Sequence, residues 1–144
     1  MSLKDMMTKD VICISPDATL KEAGEVFKKN RISGVPVVNE AGKIIGVVTI
    51  TDMLRTLGKI YKLKESEMES QSDFRLSEMY EEEKQNAKVK DLMSREVHVL
   101  NEDSSIEEVM RLVFQTKVHT IPVTDSEGHL AGIIGRRDLI EACF

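Results

Sequence analysis

An internal repeat constrains this chain more than any other feature of its sequence. When the sequence is shifted by 86 positions, residues 3–54 align with residues 89–140 without a gap. The punctuating residues keep the same phase, and the aligned pairs include Asp17 and Asp103, Pro36 and Pro122, Gly42 and Gly128, Gly46 and Gly132, and Asp52 and Asp138. A unit of this length buries too little surface to be stable alone, so the two repeats are expected to pack against each other.

Each repeat is predicted to begin with a short apolar strand and a helix. The strand is expected at residues 11–14 and again at residues 97–100. The helix that follows starts at a capping box, in which a hydroxyl accepts a hydrogen bond from a free N–H of the first turn and a glutamate reaches back. The two boxes are Thr19 with Glu22 and Ser105 with Glu108.

Two further strands and a second helix complete each unit. Gly34–Val38 has the composition of a strand whose proline requires an edge or a strand start. A turn at residues 40–43 leads into Ile44–Thr49, an almost uninterrupted apolar run typical of a buried strand, and a helix opens at Thr51. The sequence therefore predicts an α/β (α+β) fold of two β-α-β-β-α repeats packed with pseudo-twofold symmetry.

The predicted domains are a first repeat at residues 1–62, an acidic helical linker at residues 63–86 and a second repeat at residues 87–144. Between residues 65 and 83 the linker carries eight acidic residues against one arginine, and a break in the helix is expected near residues 70–73. One interpretation is a solvated connector. The other is an arm that contacts a partner or reports ligand occupancy.

Composition restricts the classes of partner. The formal net charge of −5 provides no broad basic surface for nucleic acid or anionic lipid. Two small basic clusters, Lys28-Lys29 with Arg31 and Arg136 with Arg137, are each sufficient for one phosphate group.

Targeting and metal-binding signals are not evident in the sequence. The longest apolar stretch, residues 44–48, is too short to span a bilayer, and residues 1–10 contain no apolar run typical of a secretory signal. The two cysteines lack the paired spacing of a zinc site. We therefore expect a cytoplasmic protein with no metal site, no membrane segment and no nucleic-acid partner.

The candidate site lies where the buried strand of each repeat meets the second helix. In repeat one, Thr49 and Thr51 supply hydroxyl donors beside the free N–H groups of a helix start, which suits an anion. Asp52 is the right acceptor for the two hydroxyls of a ribose. Taken alone, this T-x-x-D pattern is more often plain helix capping, and the repeat context gives it weight.

These motifs resemble those of the CBS domain, a family named after cystathionine β-synthase. The resemblance rests on residues 6–11, 33–38 and 46–52 and on residues 91–93, 119–123 and 132–138, and covers nearly the whole chain outside the linker. It implies a tandem pair, or Bateman module, with up to two clefts between the repeats. Such clefts hold AMP, ADP, ATP or a related adenosyl ligand such as S-adenosylmethionine, and the modules commonly form homodimers.

The resemblance also implies roles for individual residues. In the family, the positions of Thr49 and Asp52 contact phosphate and ribose, and the stretch before the Val-Pro strand, here residues 32–34, and the first strand help to enclose the base. Repeat two departs from this pattern at Gly135, which replaces the threonine. The predicted ligand-binding residues are Ile32, Ser33, Gly34, Thr49, Thr51, Asp52, His119, Thr120, Arg136, Arg137 and Asp138.

Two of these assignments have open alternatives. His119 either faces a phosphate or is a partly buried side chain bonded to backbone. Arg136 and Arg137 either reach a phosphate or are solvated. We expect the clefts to be unequal, with the cleft of Thr49 and Asp52 the stronger site.

The predicted function is a regulatory module that senses an adenine nucleotide and controls an unidentified protein, with no catalytic residue and no required cofactor. An enzyme is disfavoured because the three histidines belong to no catalytic motif. The alternative is a ligand-free module for dimerisation or protein interaction.

Overall fold

The computed structural model describes residues 2–64, 81–116 and 120–144. Repeat one contains helix α1 (Leu3–Met6), helix α2 (Leu20–Asn30), strand β1 (Gly34–Val38), strand β2 (Ile44–Thr49) and helix α3 (Ile50–Lys64). After helix α4 (Glu81–Asn86), repeat two contains helix α5 (Val89–Leu92), strand β3 (Leu100–Asn101), helix α6 (Ile106–Thr116), strand β4 (Thr120–Thr124), strand β5 (Leu130–Gly135) and helix α7 (Arg136–Cys143). The fold is the predicted mixture of helix and strand, and β2 and β5 occupy equivalent places in the repeats.

The central hairpin of each repeat follows the prediction. Strands β1 and β2 pair antiparallel with Gly34 opposite Thr49, and β4 and β5 pair with Thr120 opposite Gly135. Each hairpin turns at a glycine with positive φ, 80° at Gly42 and 86° at Gly128, a conformation that a Cβ makes unfavourable. The repeated glycines therefore fix where both hairpins turn.

The predicted first strand is wrong in length in both repeats. Residues 11–14 make one parallel bridge, from Ile14 to Val37, and β3 has only two residues. The Ile14 N–H donates to the Pro36 carbonyl at 3.0 Å, but a further rung towards Ile12 needs an N–H that Pro36 does not have. Cys13, which lies in this segment, is exposed.

The predicted helix starts are present. The Thr19 hydroxyl accepts from the Glu22 N–H at 3.1 Å, and the Ser105 hydroxyl accepts from the Glu108 N–H at 3.2 Å. The second helix of repeat one begins at Ile50, one residue before the predicted start. Of the predicted linker, residues 65–80, including the expected break, lie outside the described residues.

The start of each repeat packs on the core of the other repeat. Leu3 and Met6 of α1 belong to the buried cluster of repeat two, together with Ile121, Val123 and Ile134. In the same way, Val89 and Met93 belong to the buried cluster that contains Val37 and Val48 of repeat one. The two repeats therefore share their cores by exchange, as the small size of each unit requires.

After these helical turns, the chain crosses the neighbouring β-hairpin. Thr8 pairs with Ile133 through N–H···O bonds of 2.8 and 2.9 Å, and Ser94 pairs with Val47 through bonds of 2.9 and 3.0 Å. We call residues 7–12 the first crossing segment and residues 93–98 the second crossing segment. In the part of the chain that is described, no helix is long and apolar enough to cross a membrane.

Candidate ligand-binding clefts

Two clefts open between the repeats, and each takes its walls from both. The first cleft, of about 340 Å³, combines the end of β2 and the start of α3 with the second crossing segment: Val47, Thr49, Ile50, Thr51, Ser94, Glu96, Val97 and His98. The second cleft, of about 960 Å³, combines the end of β5 and the start of α7 with the first crossing segment: Ile133, Gly135, Arg136, Arg137, Asp138, Thr8, Asp10, Val11 and Ile12.

The two linings are related by the repeat. Thr8 aligns with Ser94, Asp10 with Glu96 and Ile12 with His98. The crossing of the chain therefore brings the helix start of one repeat to the first apolar segment of the other. It also explains why neither repeat forms a complete cleft by itself.

The structure distributes the predicted site residues over both clefts. Thr49 and Thr51 line the first cleft, whereas Ile32, Arg136, Arg137 and Asp138 line the second. Ser33, Gly34 and Thr120, at the starts of strands β1 and β4, line both clefts. Asp52 lines neither cleft, and His119 lies outside the described residues.

Asp52 is engaged by its own helix. Its Oδ2 accepts from the Thr49 N–H at 2.8 Å and from the Thr49 hydroxyl at 3.0 Å, and its Oδ1 accepts from Arg55 Nη1 at 3.2 Å. The residue is only 8% exposed. In the structure, the T-x-x-D pattern of repeat one thus serves as a helix cap.

Asp138 has a different set of partners. Its Oδ2 accepts from the Gly135 N–H at 2.7 Å, and its Oδ1 accepts from the Thr8 hydroxyl of the opposite repeat at 3.1 Å. Glu141 stands where repeat one has Arg55, and it pairs with Arg137 at 3.3 Å. Each carboxylate oxygen has two acceptor sites, so Asp138 retains capacity for ligand hydroxyls inside the second cleft.

The predicted ligand-binding residues include none from the crossing segments, although the resemblance implied that the first strand of each repeat, which overlaps these segments, helps to enclose the base. Thr8, Asp10 and Ile12 line the second cleft, and Ser94 and His98 line the first. A signal was present, because both repeats carry a hydroxyl at the position of Thr8 and Ser94. Within the described ranges, no group of three or more His, Cys, Asp or Glu side chains is placed to hold a metal ion.

The comparison with protein families matches the CBS domain at residues 3–59 and again at residues 89–144. The chain belongs to the CBS domain family. It is 33% identical to an uncharacterized protein from Methanocaldococcus jannaschii, over 99% of this chain and 90% of that protein. It is 31% identical to an inosine-5'-monophosphate dehydrogenase from the same organism, over 95% of this chain but only 22% of that enzyme.

Solved structures share the architecture of this CBS pair. A structure of CBSX2 in complex with AMP has a TM-score of 0.75 and 24% identity, with 99% of this chain and 95% of that chain covered. The CBS domain pair of protein MJ0100, in complex with 5'-methylthioadenosine and S-adenosyl-L-methionine, has a TM-score of 0.75 and 20% identity, with both chains covered completely. At these identities the likeness shows the fold, that of a pair of CBS domains.

Proposed function

We propose that this CBS pair is a regulatory module that binds an adenosine-containing ligand between its repeats. The observation that carries the proposal is the composition of the second cleft. Asp138 offers acceptor sites for the hydroxyls of a ribose, and Arg136 offers a guanidinium for a phosphate. Ile12 and Ile133 supply apolar surface against which a base packs.

The solved structures support the same class of ligand. CBSX2 was crystallised with AMP, and the MJ0100 pair was crystallised with 5'-methylthioadenosine and S-adenosyl-L-methionine. These ligands share an adenosine group and differ in what the 5' carbon carries. We therefore take adenosine as the common group to be recognised, and AMP, ADP, ATP and S-adenosylmethionine as the ligands to be compared.

We further propose that the second cleft is the stronger site, which reverses the expectation from the sequence. Asp52 lines neither cleft and is engaged by Thr49 and Arg55, whereas Asp138 lines the second cleft. Thr49 and Thr51 remain the proposed phosphate contacts in the first cleft. In the second cleft, the residues proposed to enclose the base beside Asp138 are Ile32, Ser33, Gly34 and Thr120.

We also propose a homodimer. Leu54 of α3 and Ile140 of α7 are equivalent positions in the repeats, and both are well exposed, at 62% and 57%. Met53 and Leu57 of α3 pack against the buried clusters and are not part of this exposed surface. Two exposed aliphatic side chains at equivalent positions of the repeats suit a self-complementary contact between two copies of the chain. Sedimentation that shows only monomer at micromolar concentration would contradict the dimer.

The ligand proposal is tested by thermal shift with AMP, ADP, ATP, NAD and S-adenosylmethionine. A compound that binds only the folded protein raises the unfolding midpoint. By calorimetry, Asp138→Ala should weaken binding about tenfold to a hundredfold, because a hydrogen bond to a charged group contributes about 1.5–3 kcal/mol. Asp52→Ala, the matched variant, should leave that binding unchanged. If no compound raises the midpoint, the ligand proposal fails and the module for protein interaction is favoured.

A further inference from the structure

The rim of the second cleft carries Arg31, an arginine outside the CBS motifs. Arg31 ends α2 with φ 50° and ψ 45°, the left-handed conformation. Among the residues that the structure describes, it is the only one other than glycine with a positive φ. Helices that end in this way usually carry glycine or asparagine there, because a Cβ crowds the backbone. The backbone conformation at position 31 therefore favours glycine, and the arginine side chain is present there at a cost to stability.

Within the described residues, no acidic side chain pairs with the guanidinium of Arg31. Arg31 and Arg136 form no ion pair of 4 Å or less with any residue in the described ranges, whereas Arg137 is paired with Glu141. The chain as a whole has 25 acidic residues against 20 basic ones. Two unpaired guanidiniums in one cleft of an acidic protein are thus available to an anion.

The fold brings these arginines together from opposite repeats. Arg31 comes from the end of α2 and Arg136 from the start of α7, and both line the second cleft. Three acidic residues share this lining: Asp138 is bonded to Gly135 and Thr8, Glu141 is paired with Arg137, and Asp10 is the third. At the start of α3, the equivalents of Arg136 and Arg137 are Ile50 and Thr51, so the first cleft has no arginine at these positions.

We propose that the second cleft takes a nucleoside di- or triphosphate, with Arg31 and Arg136 binding its outer phosphates from the two repeats. This rests on the proposed function, which places the adenosine beside Asp138. Guanidiniums bind phosphate oxygens in a bidentate manner, and each added phosphate adds charge for them to bind. The cleft of about 960 Å³ lies within the range of ligand pockets for molecules of this size. The ligand then bridges the end of α2 and the start of α7.

The variant Arg31→Gly separates a binding role from a structural one. Glycine relieves the left-handed conformation, so the unfolding midpoint of the ligand-free protein should stay equal or rise. Binding of ADP and ATP should weaken about tenfold or more through loss of a charge-assisted hydrogen bond, while binding of adenosine changes less than about twofold. Calorimetry in buffer without divalent cations measures the dissociation constants of ADP, ATP and adenosine. Repeating it at a second salt concentration shows how far salt screens each interaction.

Two variants serve as controls. Lys29→Ala removes the same charge from the last turn of α2 at a residue that does not line the cleft, and ATP affinity should be kept. Arg31→Lys keeps the charge without the bidentate geometry, and its ATP affinity should be intermediate. A loss of ATP affinity in Lys29→Ala equal to that in Arg31→Gly would mean general electrostatics and would overturn the proposal.

The remaining outcomes distinguish this inference from the proposed function. If adenosine and AMP bind but Arg31→Gly leaves the ratio of AMP to ATP affinity unchanged, the inference fails and the proposed function stands. If no adenosine compound binds, whereas inorganic tripolyphosphate binds and Arg31→Gly abolishes that binding, the proposed function and the nucleoside part of this inference fail, and only the phosphate contact of Arg31 stands. If tripolyphosphate does not bind either, both are contradicted.

Discussion

The two repeats place a carboxylate at the same position and give it different partners. Asp52 is bound by Arg55 of its own helix, whereas Asp138 is bound by Thr8 of the opposite repeat. More than one aligned position differs, because Arg55 of repeat one corresponds to Glu141 of repeat two, and Thr49, whose hydroxyl donates to Asp52, corresponds to Gly135. The two repeats have therefore kept the carboxylate and changed the side chains that engage it.

What the repeats share supports the fold more than the ligand site. The glycines Gly46 and Gly132 lie where the crossing segments pass over the β-hairpins. A Cβ on Gly46 would lie 2.9 Å from the Ser94 carbonyl oxygen, and one on Gly132 would lie 3.0 Å from that of Thr8. Both repeats carry glycine at this position because each crossing segment passes so close to the β-hairpin that a Cβ would not fit.

The largest expected effect tests this shared part. Gly46→Ala and Gly132→Ala should each lower the free energy of unfolding by about 1–3 kcal/mol, because the new methyl group meets a backbone carbonyl and a methionine side chain that are already packed. Urea denaturation of the ligand-free protein measures both. Gly58→Ala in α3 is the control, since its Cβ meets nothing within 4 Å, and it should stabilise by about 0.5–1 kcal/mol. Equal stability of wild type and Gly132→Ala would contradict the close approach.

The sequence predicted what depends on neighbouring residues. The period of the repeat placed Ile44–Thr49 and Leu130–Gly135 on equivalent strands, and the capping hydroxyls of Thr19 and Ser105 marked the helix starts. The ion pair of Asp52 and Arg55 was not predicted, although the sequence contained the signal for it, because residues three apart on a helix are neighbours.

The sequence did not predict what depends on packing between the repeats. Thr8 and Asp138 are 130 positions apart, and their hydrogen bond forms only because the first crossing segment lies on β5. The same crossing decides that Ile32 lies in the cleft of Asp138. Pattern and propensity describe one repeat at a time, so the composition of each cleft becomes visible only in the folded pair.

The next effect concerns the orientation of Asp138. Thr8→Ala removes a hydrogen bond of the kind that contributes about 0.5–1.5 kcal/mol, so ligand affinity in the second cleft should fall about threefold to tenfold. Thr8→Ser keeps the hydroxyl and should restore the affinity. Ser94→Ala in the second crossing segment is the matched control, because the Ser94 hydroxyl donates only to the Glu96 carbonyl, at 3.4 Å. Calorimetry that finds Thr8→Ala and Ser94→Ala equally impaired would remove the distinction between the carboxylates.

A smaller effect is expected at the first cleft. Arg55→Ala frees Asp52 from an ion pair whose arginine side chain is 60% exposed. Since such pairs contribute about 0.2–1 kcal/mol, adenosine affinity at the first cleft should rise by up to about fivefold. Measurements in an Asp138→Ala background report this cleft alone. The reverse exchange, Glu141→Arg, should weaken adenosine binding in the second cleft. If both variants leave the adenosine affinity unchanged, the ion pair does not control access of the ligand to the carboxylate.

The smallest effect distinguishes the hairpin turns of the repeats. Asp125 Oδ1 accepts from the N–H groups of His129 and Glu127 at 2.9 Å, while Asn39, its uncharged equivalent, accepts two such bonds at 3.0 Å. The hydrogen bond from the His129 N–H is the main cause of a lowered pKa for Asp125, and the nearby His129 ring adds to it. A carboxyl with a lowered pKa in the folded state adds stability that is present above its unfolded pKa and is lost as pH falls through the folded value.

Asp125→Asn should therefore keep the turn and reduce the fall of the unfolding midpoint between about pH 5 and pH 3, the side of the unfolded aspartate pKa where this stability is lost. Asn39→Asp should add the same kind of acid dependence to repeat one, because the new carboxylate would accept the N–H groups of Ala41 and Lys43 in place of the amide oxygen. Differential scanning calorimetry across this range compares the two variants with wild type. The change should be small, since Asp125 is solvated and water weakens the interaction of its charge with His129. An acid slope in Asp125→Asn that equals that of wild type would mean that the turns of the two repeats behave alike and that the acid sensitivity lies elsewhere in the chain.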